Sequence, residues 1–263
     1  MDEATKKAIE ASKSNETNET NETNKTEKNE KIKEVTSTEN SQNQITLGKN
    51  KVVTIKPWTG KTKKKFKKIF EFVERPEDID FKQVMKTLLY DHIKEDIYLN
   101  EGEQQYLLAE IKKISLNDNF NESINCYNCD NKIHINKKID EVLKYKENKL
   151  PKKYNNIEFV DIKNLESLEN EIKQIKESID YDGLTSDQDV EFAMHIKIKD
   201  KTTKEIIEYL DNLAIKDLTD IIKNITEVLP SCSTEIELIC PKCQHTDVYD
   251  IDITKEIFES LLI

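Results

Sequence analysis

Residues 122–139 read ESINCYNCDNKIHINKKI, and residues 234–253 read TEIELICPKCQHTDVYDIDI. In both stretches apolar and polar residues alternate on either side of a Cys-x-x-Cys, the period-2 pattern of a half-buried strand. Each is expected to be strand, knuckle, strand. A Cys-x-x-Cys turn sets two sulfurs on one side of a tight knuckle, and a second such turn completes the four tetrahedral thiolates that a structural Zn2+ prefers. Between Cys129 and Cys240 lie 110 residues. Closing a loop of that length costs about 4 kcal/mol, and structural zinc in small domains returns about 10–16 kcal/mol. The pattern predicts a split four-cysteine zinc ribbon around a folded insertion, with one structural Zn2+ per chain on Cys126, Cys129, Cys240 and Cys243.

Two other readings of these cysteines stay open. A redox Cys-x-x-Cys sits at a helix N-terminus, where the dipole lowers a thiol pKa, whereas strands are expected after both pairs here. Thiols kept on the strand scaffold without a metal are the other reading. His134 and His245 lie near the knuckles and, with four cysteines already placed, are expected at the surface or beside the ligands. Cys232 stands alone and reads as a small core or surface residue.

Outward from the knuckles the pattern turns helical. Leu165, Leu168, Ile172, Ile175 and Ile179 form one stripe, and Ile206, Ile207, Leu210, Leu213, Leu218, Ile221, Ile222 and Ile225 suggest one or two more helices before Pro230. These place a helical insertion at about 141–231 within a ribbon domain at 121–263. Ile257, Phe258, Leu261 and Leu262 form an apolar tail expected to pack back on the core. Ahead of the first knuckle, residues 51–120 read as a mostly helical unit. Val52, Val53 and Ile55 suggest a short strand ending at Pro57-Trp58. Phe66, Ile69, Phe70 and Val73 mark one helix face, with Thr59 or Thr62 at its start and Pro76 after its end. Phe81, Val84, Met85, Leu88 and Leu89 mark a second helix, and Tyr106, Leu107, Ile111 and Ile114 a third over 103–114. The fold class expected is α+β, mostly helical.

Residues 1–50 read as a disordered low-complexity tail. Their core is the tripeptide run SNETNETNETNKT at 14–26, and from Ser12 to Gln44 only Ile32 and Val35 are apolar. Such a stretch buries too little surface to offset the backbone entropy of ordering, about 1–2 kcal/mol per residue.

Composition excludes several functions. The formal charge is −11, which argues against wrapping nucleic acid over the whole surface. It is uneven: residues 51–75 carry nine basic and two acidic residues, six of the lysines within Lys61–Lys68, whereas residues 76–263 carry a net −16. No run of apolar residues reaches membrane-spanning length. The opening MDEATKKAIE has no apolar region of the secretory kind, so five cysteines suggest a reducing compartment rather than a disulfide framework. Four glycines in the chain leave no Gly-rich phosphate loop. Gly60-Lys61-Thr62 lacks the glycine a P-loop needs five residues earlier, where Ile55 stands. His92 and His195 have no nucleophile or second base at a recognisable spacing, and no catalytic residue is assigned.

The order of segments resembles the T4-like bacteriophage baseplate hub assembly proteins. The resemblance runs over about residues 51–263 through VVTIKPWTGK at 52–61, LLYDHIK at 88–94, LNEGEQQYLLAEIKKIS at 99–115, the first knuckle and then IELICPKCQHTDVYDIDI before a terminal Phe-containing tail. The family's second knuckle usually carries a glycine soon after its last cysteine; Gln244 stands here instead, as does Asp130 in the first knuckle, at a turn that favours φ > 0. The resemblance implies a non-enzymatic hub assembly factor or hub subunit. Its partners would be other baseplate or hub proteins, not membrane, nucleic acid or a small-molecule substrate. It would work in the host cytoplasm during assembly or in the tail baseplate of the virion. The alternative class is a zinc-ribbon nucleic-acid-binding protein of a transcription apparatus, resting on the ribbon and the lysine run. The acidic body opposes it, because phosphate neutralisation needs clustered cations.

Overall fold

The structure is a computed structural model that describes residues 43–48, 51–71, 79–178 and 185–262. Of the tail expected over 1–50, residues 1–42 and 49–50 lie outside the described residues, as do the helix end at Val73 and Pro76, and Ile179. The body begins earlier than expected. Asn43–Thr46 forms β1, antiparallel to β2 (Val52–Ile55) with Asn43 opposite Ile55, and Leu47 behind it is fully buried. This strand falls inside the stretch assigned to the tail. Its pattern, Asn-Gln-Ile-Thr, holds one apolar residue, too few for a period-2 signal.

Three helices follow. Helix α1 (Gly60–Glu71) turns Phe66 and Phe70 inward and its lysines outward. Before it, the Trp58 indole N–H donates to the Leu88 carbonyl at 2.7 Å, tying the strand exit to α2 (Phe81–Leu88). Asp80 caps α2 by accepting from the Gln83 N–H, and a 3-10 turn, Tyr90–His92, ends it. Helix α3 (Glu101–Ser115) starts in a capping box: the Asn100 side chain accepts from the Glu103 N–H and Glu103 accepts from the Asn100 N–H. Glu103 also pairs with Lys51 at 2.7 Å, both largely buried.

The knuckle stretches form two hairpins. β3 (Asn119–Asn125) pairs with β4 (Lys132–Lys138), and β10 (Glu235–Ile239) with β11 (Thr246–Asp250). They are separate two-stranded sheets. Their inner residues Phe120, Ile133, Ile135, Ile236 and Tyr249 enter one core with Leu47, Phe66, Leu107 and Ile111. The terminal apolar residues lie on α9 (Ile253–Leu262), which packs on that core as expected: Phe258 meets Phe66 and Phe70 at ring-centroid distances of 5.2 and 6.1 Å. Burying a Phe or Leu side chain is worth about 1.5–3 kcal/mol each. Lys112 of α3 is fully buried there, with Nζ 2.6 Å from the Asn119 carbonyl and 3.2 Å from Glu256 of α9. The boundary expected near residue 120 is therefore not a core boundary, because residues on both sides of it share this cluster.

The insertion has a core of its own. A short helix, α4 (Ile139–Val142), leads to β5 (Lys144–Lys146), whose partner is β9 (Ser231–Ser233), so a two-stranded neck carries the chain out and back. Between them come β6 (Lys152–Tyr154), β7 (Ile157–Phe159), α5 (Leu165–Lys176), α6 (Asp187–Met194), β8 (Ile196–Ile198), α7 (Thr203–Asp211) and α8 (Ile215–Thr226). Strands β6, β7 and β8 form one antiparallel sheet. Phe159, Val190, Ile196, Ile207 and Ile225 fill the core beneath it. The insertion is thus not purely helical, and the molecule is mixed helix and sheet rather than mostly helical. Each of these strands is three residues long, too short for an alternation to register.

Candidate metal centre

The two knuckles have the same backbone construction. In the first, the Asp130 N–H donates to the Cys126 carbonyl at 3.0 Å and the Cys126 N–H to the Asn131 carbonyl at 2.9 Å. In the second, the Gln244 N–H donates to the Cys240 carbonyl and the Cys240 N–H to the His245 carbonyl, both at 2.9 Å. Closing so tight a turn needs one residue in the left-handed region. Asp130 occupies it at φ 54° and Gln244 at φ 60°. Gln244 stands where the family's usual second knuckle has glycine, and both turns form without one.

The hairpins bring the four cysteines together. All four sulfurs lie within 4.8 Å of one another. Cys126 Sγ is 3.7 Å from Cys243 Sγ, and Cys129 Sγ is 3.7 Å from Cys240 Sγ. A disulfide would need about 2.05 Å, so the pairs cross between knuckles without bonding. A tetrahedral ion with metal–sulfur bonds of about 2.3 Å would set its sulfurs about 3.8 Å apart. The spacing is compatible with a metal.

The protonation chemistry agrees. The Cys243 thiol is pulled down to about 6, first by the backbone N–H of His245 and then by the Asn128 side chain. Burial pushes Cys240 up, but the N–H groups of Cys243 and Lys242 outweigh it and its pKa falls. At Cys129 the Asn131 N–H favours the thiolate, yet burial and the hydrogen bonds shared with the other sulfurs raise the pKa to about 12. Hydrogen bonds favour the thiolate at two of the sulfurs, and another resists a further negative charge. A divalent cation would remove that resistance, because ligation and deprotonation are one event.

The chain belongs to the T4 bacteriophage base plate protein family. The family model matches residues 40–259, which take in both knuckles, the insertion and β1. No curated protein and no solved structure matches the chain.

The other candidate residues of this base plate protein lie outside the sulfur cluster. His134 Nδ1 is 2.8 Å from Ser123 Oγ on the exposed side of β3–β4, and His245 Nε2 lies 3.4 Å from Asp247. Cys232 sits on β9, half-buried, and burial pushes its thiol up to about 12. His92 Nε2 meets the Thr62 hydroxyl at 3.1 Å. His195 directly follows α6; Nδ1 faces the Val160 carbonyl at 3.0 Å and Nε2 faces the Tyr98 hydroxyl at 3.3 Å. Tyr98 also donates to Glu191, so one buried cluster joins the insertion to the body. Sequence reasoning missed Gly102. It lies against the return strand, where an added Cβ would sit 2.5 Å from Ser231 Cα, and Asn100 Nδ2 donates to the Pro230 carbonyl at 2.9 Å beside it. Asn100-x-x-Glu103 was a readable capping signal. The close approach at Gly102 had none.

Proposed function

We propose that this chain is a hub assembly protein of the phage tail baseplate, an assembly factor or hub subunit that acts through protein–protein contacts and carries no catalytic step. One structural Zn2+ on Cys126, Cys129, Cys240 and Cys243 holds the two hairpins together, since four thiolates leave no open position for water or substrate. It works in the host cytoplasm during assembly or stays in the tail baseplate. The observation that carries this reading is the family match over residues 40–259. The separation of charge supports a contact role. The exposed lysines of α1 form a cationic face on an acidic chain, and complementary charge sets encounter rate and partner choice.

Removing the reading frame from its phage is expected to give tails without a competent hub; phage that build complete baseplates without it would overturn the assembly role. Metal analysis of the purified chain tests the zinc separately. About one zinc per chain is expected, and it should fall with Cys240→Ser together with the melting temperature. A metal-free wild type, or an unchanged melt in that variant, would refute it. The nucleic-acid reading rests on the lysine face. Salt-dependent DNA binding that vanishes when Lys63, Lys64, Lys65 and Lys67 become Gln would favour it over the assembly role.

A further inference from the structure

The outer face of the β10–β11 hairpin is built unlike its inner face. Ile236, Leu238 and Tyr249 turn toward the core, and Glu235, Glu237 and Ile239 of β10 turn outward with Thr246, Val248 and Asp250 of β11. The register sets Glu235 opposite Asp250 and Glu237 opposite Val248. Like charges directly opposite each other on a sheet destabilise it, and none of these three carboxylates has a basic partner among the described residues. Beside them Ile239 and Val248 are 60% and 54% exposed. An acidic strip with an apolar pair at one end is therefore left open to solvent.

The complementary surface is on the same chain. Lys61, Lys64, Lys67 and Lys68 are exposed on α1 and Lys63 is half-buried. Of the six lysines in the run only Lys65 pairs with a carboxylate among the described residues, with Asp91 at 2.9 Å. The two faces cannot meet within one molecule. Phe66 and Phe70 anchor α1 on Phe258, Ile236 and Tyr249 anchor the hairpin in the same core, and both charged faces point away from it. Their lengths are compatible. The eight residues of the lysine run span about 12 Å, which fits within the length of the five-residue strand, about 17 Å. Lysine stems also cover apolar surface while their ammonium groups stay on carboxylates, which suits Ile239 and Val248 flanked by Glu235, Glu237 and Asp250.

We infer that the lysine face of α1 in one copy docks on the outer face of the β10–β11 hairpin in a second copy. This rests on the proposed contact role of the lysine face and names its partner. The two patches differ, so the contact is heterologous and continues from copy to copy unless the rotation closes a ring.

Sedimentation of the full chain at several concentrations, in low and in high salt, tests it. The mass is expected to rise above one chain with concentration in low salt and to return to one chain in high salt, as screened charge pairs require. Glu235→Lys with Glu237→Lys should weaken association about tenfold or more, and so should Lys63→Glu with Lys64→Glu and Lys67→Glu. Mixing the two charge-reversed variants should restore association, because each keeps the face the other lacks. The single Glu237→Lys change, at an exposed site, carries the test if the double variant does not fold. A wild type that stays single at every concentration in low salt would overturn the inference, as would association that neither variant weakens. A wild type that stays single yet still enters the baseplate would refute this contact and leave the assembly role standing.

Discussion

Replacing Gly102 by Ala tests how the insertion is seated. The added Cβ would meet Ser231 Cα at 2.5 Å, the Pro230 carbonyl oxygen at 2.8 Å and Ser231 C at 2.9 Å. Favourable carbon contacts lie at about 3.5–4.0 Å, so α3 and the return strand must part by about 1 Å. All three atoms are backbone, and β9 is held by its ladder to β5, so no side chain can yield instead. Forcing such an overlap costs about 1–3 kcal/mol. Losing the Asn100–Pro230 hydrogen bond adds about 0.5–1.5 kcal/mol. Alanine returns up to about 1 kcal/mol as the better helix former. The net is a destabilisation of about 2 kcal/mol, or about 4–8 °C in Tm for a domain of this size. Gly60→Ala is the control: Gly60 also begins a helix, but nothing lies within 4 Å of its added Cβ, so that change should be neutral or stabilising. Thermal and denaturant melts followed by circular dichroism give both signs. A Gly102→Ala protein as stable as wild type would refute the argument that this glycine is required by the close approach.

Gln244→Gly should stabilise the protein by up to about 1 kcal/mol by relieving a left-handed backbone, and Asp130→Gly by less because Asp tolerates that region better; chemical denaturation measures both. Removing residues 1–48 should cost about 2–5 kcal/mol more than removing residues 1–42, because the longer deletion takes β1 and the fully buried Leu47, and equal melts for the two truncations would contradict the pairing of β1 with β2. Burial lowers the His195 pKa below its ordinary 6.5. The unfolded chain therefore binds this proton first as the pH falls, so the stability His195 supports is full above 6.5 and declines below it. Melts of wild type and His195→Gln across that pH should show a shallower decline in the variant, and parallel curves would contradict it.

The geometry of the candidate metal centre was legible because each half of it is local. Alternation on both sides of Cys126-x-x-Cys129 and Cys240-x-x-Cys243 requires a hairpin, and the bonds that close each knuckle span only a few residues. The helix stripes were legible for the same reason, and α2, α3, α5, α7 and α8 lie where their apolar spacing put them. The sheet of the insertion was not, since three-residue strands hold too few residues to show a period. The buried Lys112 also gave no sign. A lysine on a helix reads as exposed, and the Asn119 carbonyl, Glu256 and the Asn117 side chain, brought in by the hairpin and α9, satisfy its charge in the core.

By itself the sequence determined the two knuckles, the family, the charge separation and the faces of the longer helices, each of which is written in neighbouring residues or a short period. Only the tertiary structure decided that residues on both sides of position 120 share one core, that the insertion keeps a core of its own behind a two-stranded neck, and that Gly102 must be glycine. Those features join residues far apart in the chain, as Gly102 meets Ser231 and Lys112 meets Glu256. Such contacts are set by how elements pack once formed, and no local periodicity records which backbone will come to lie against which.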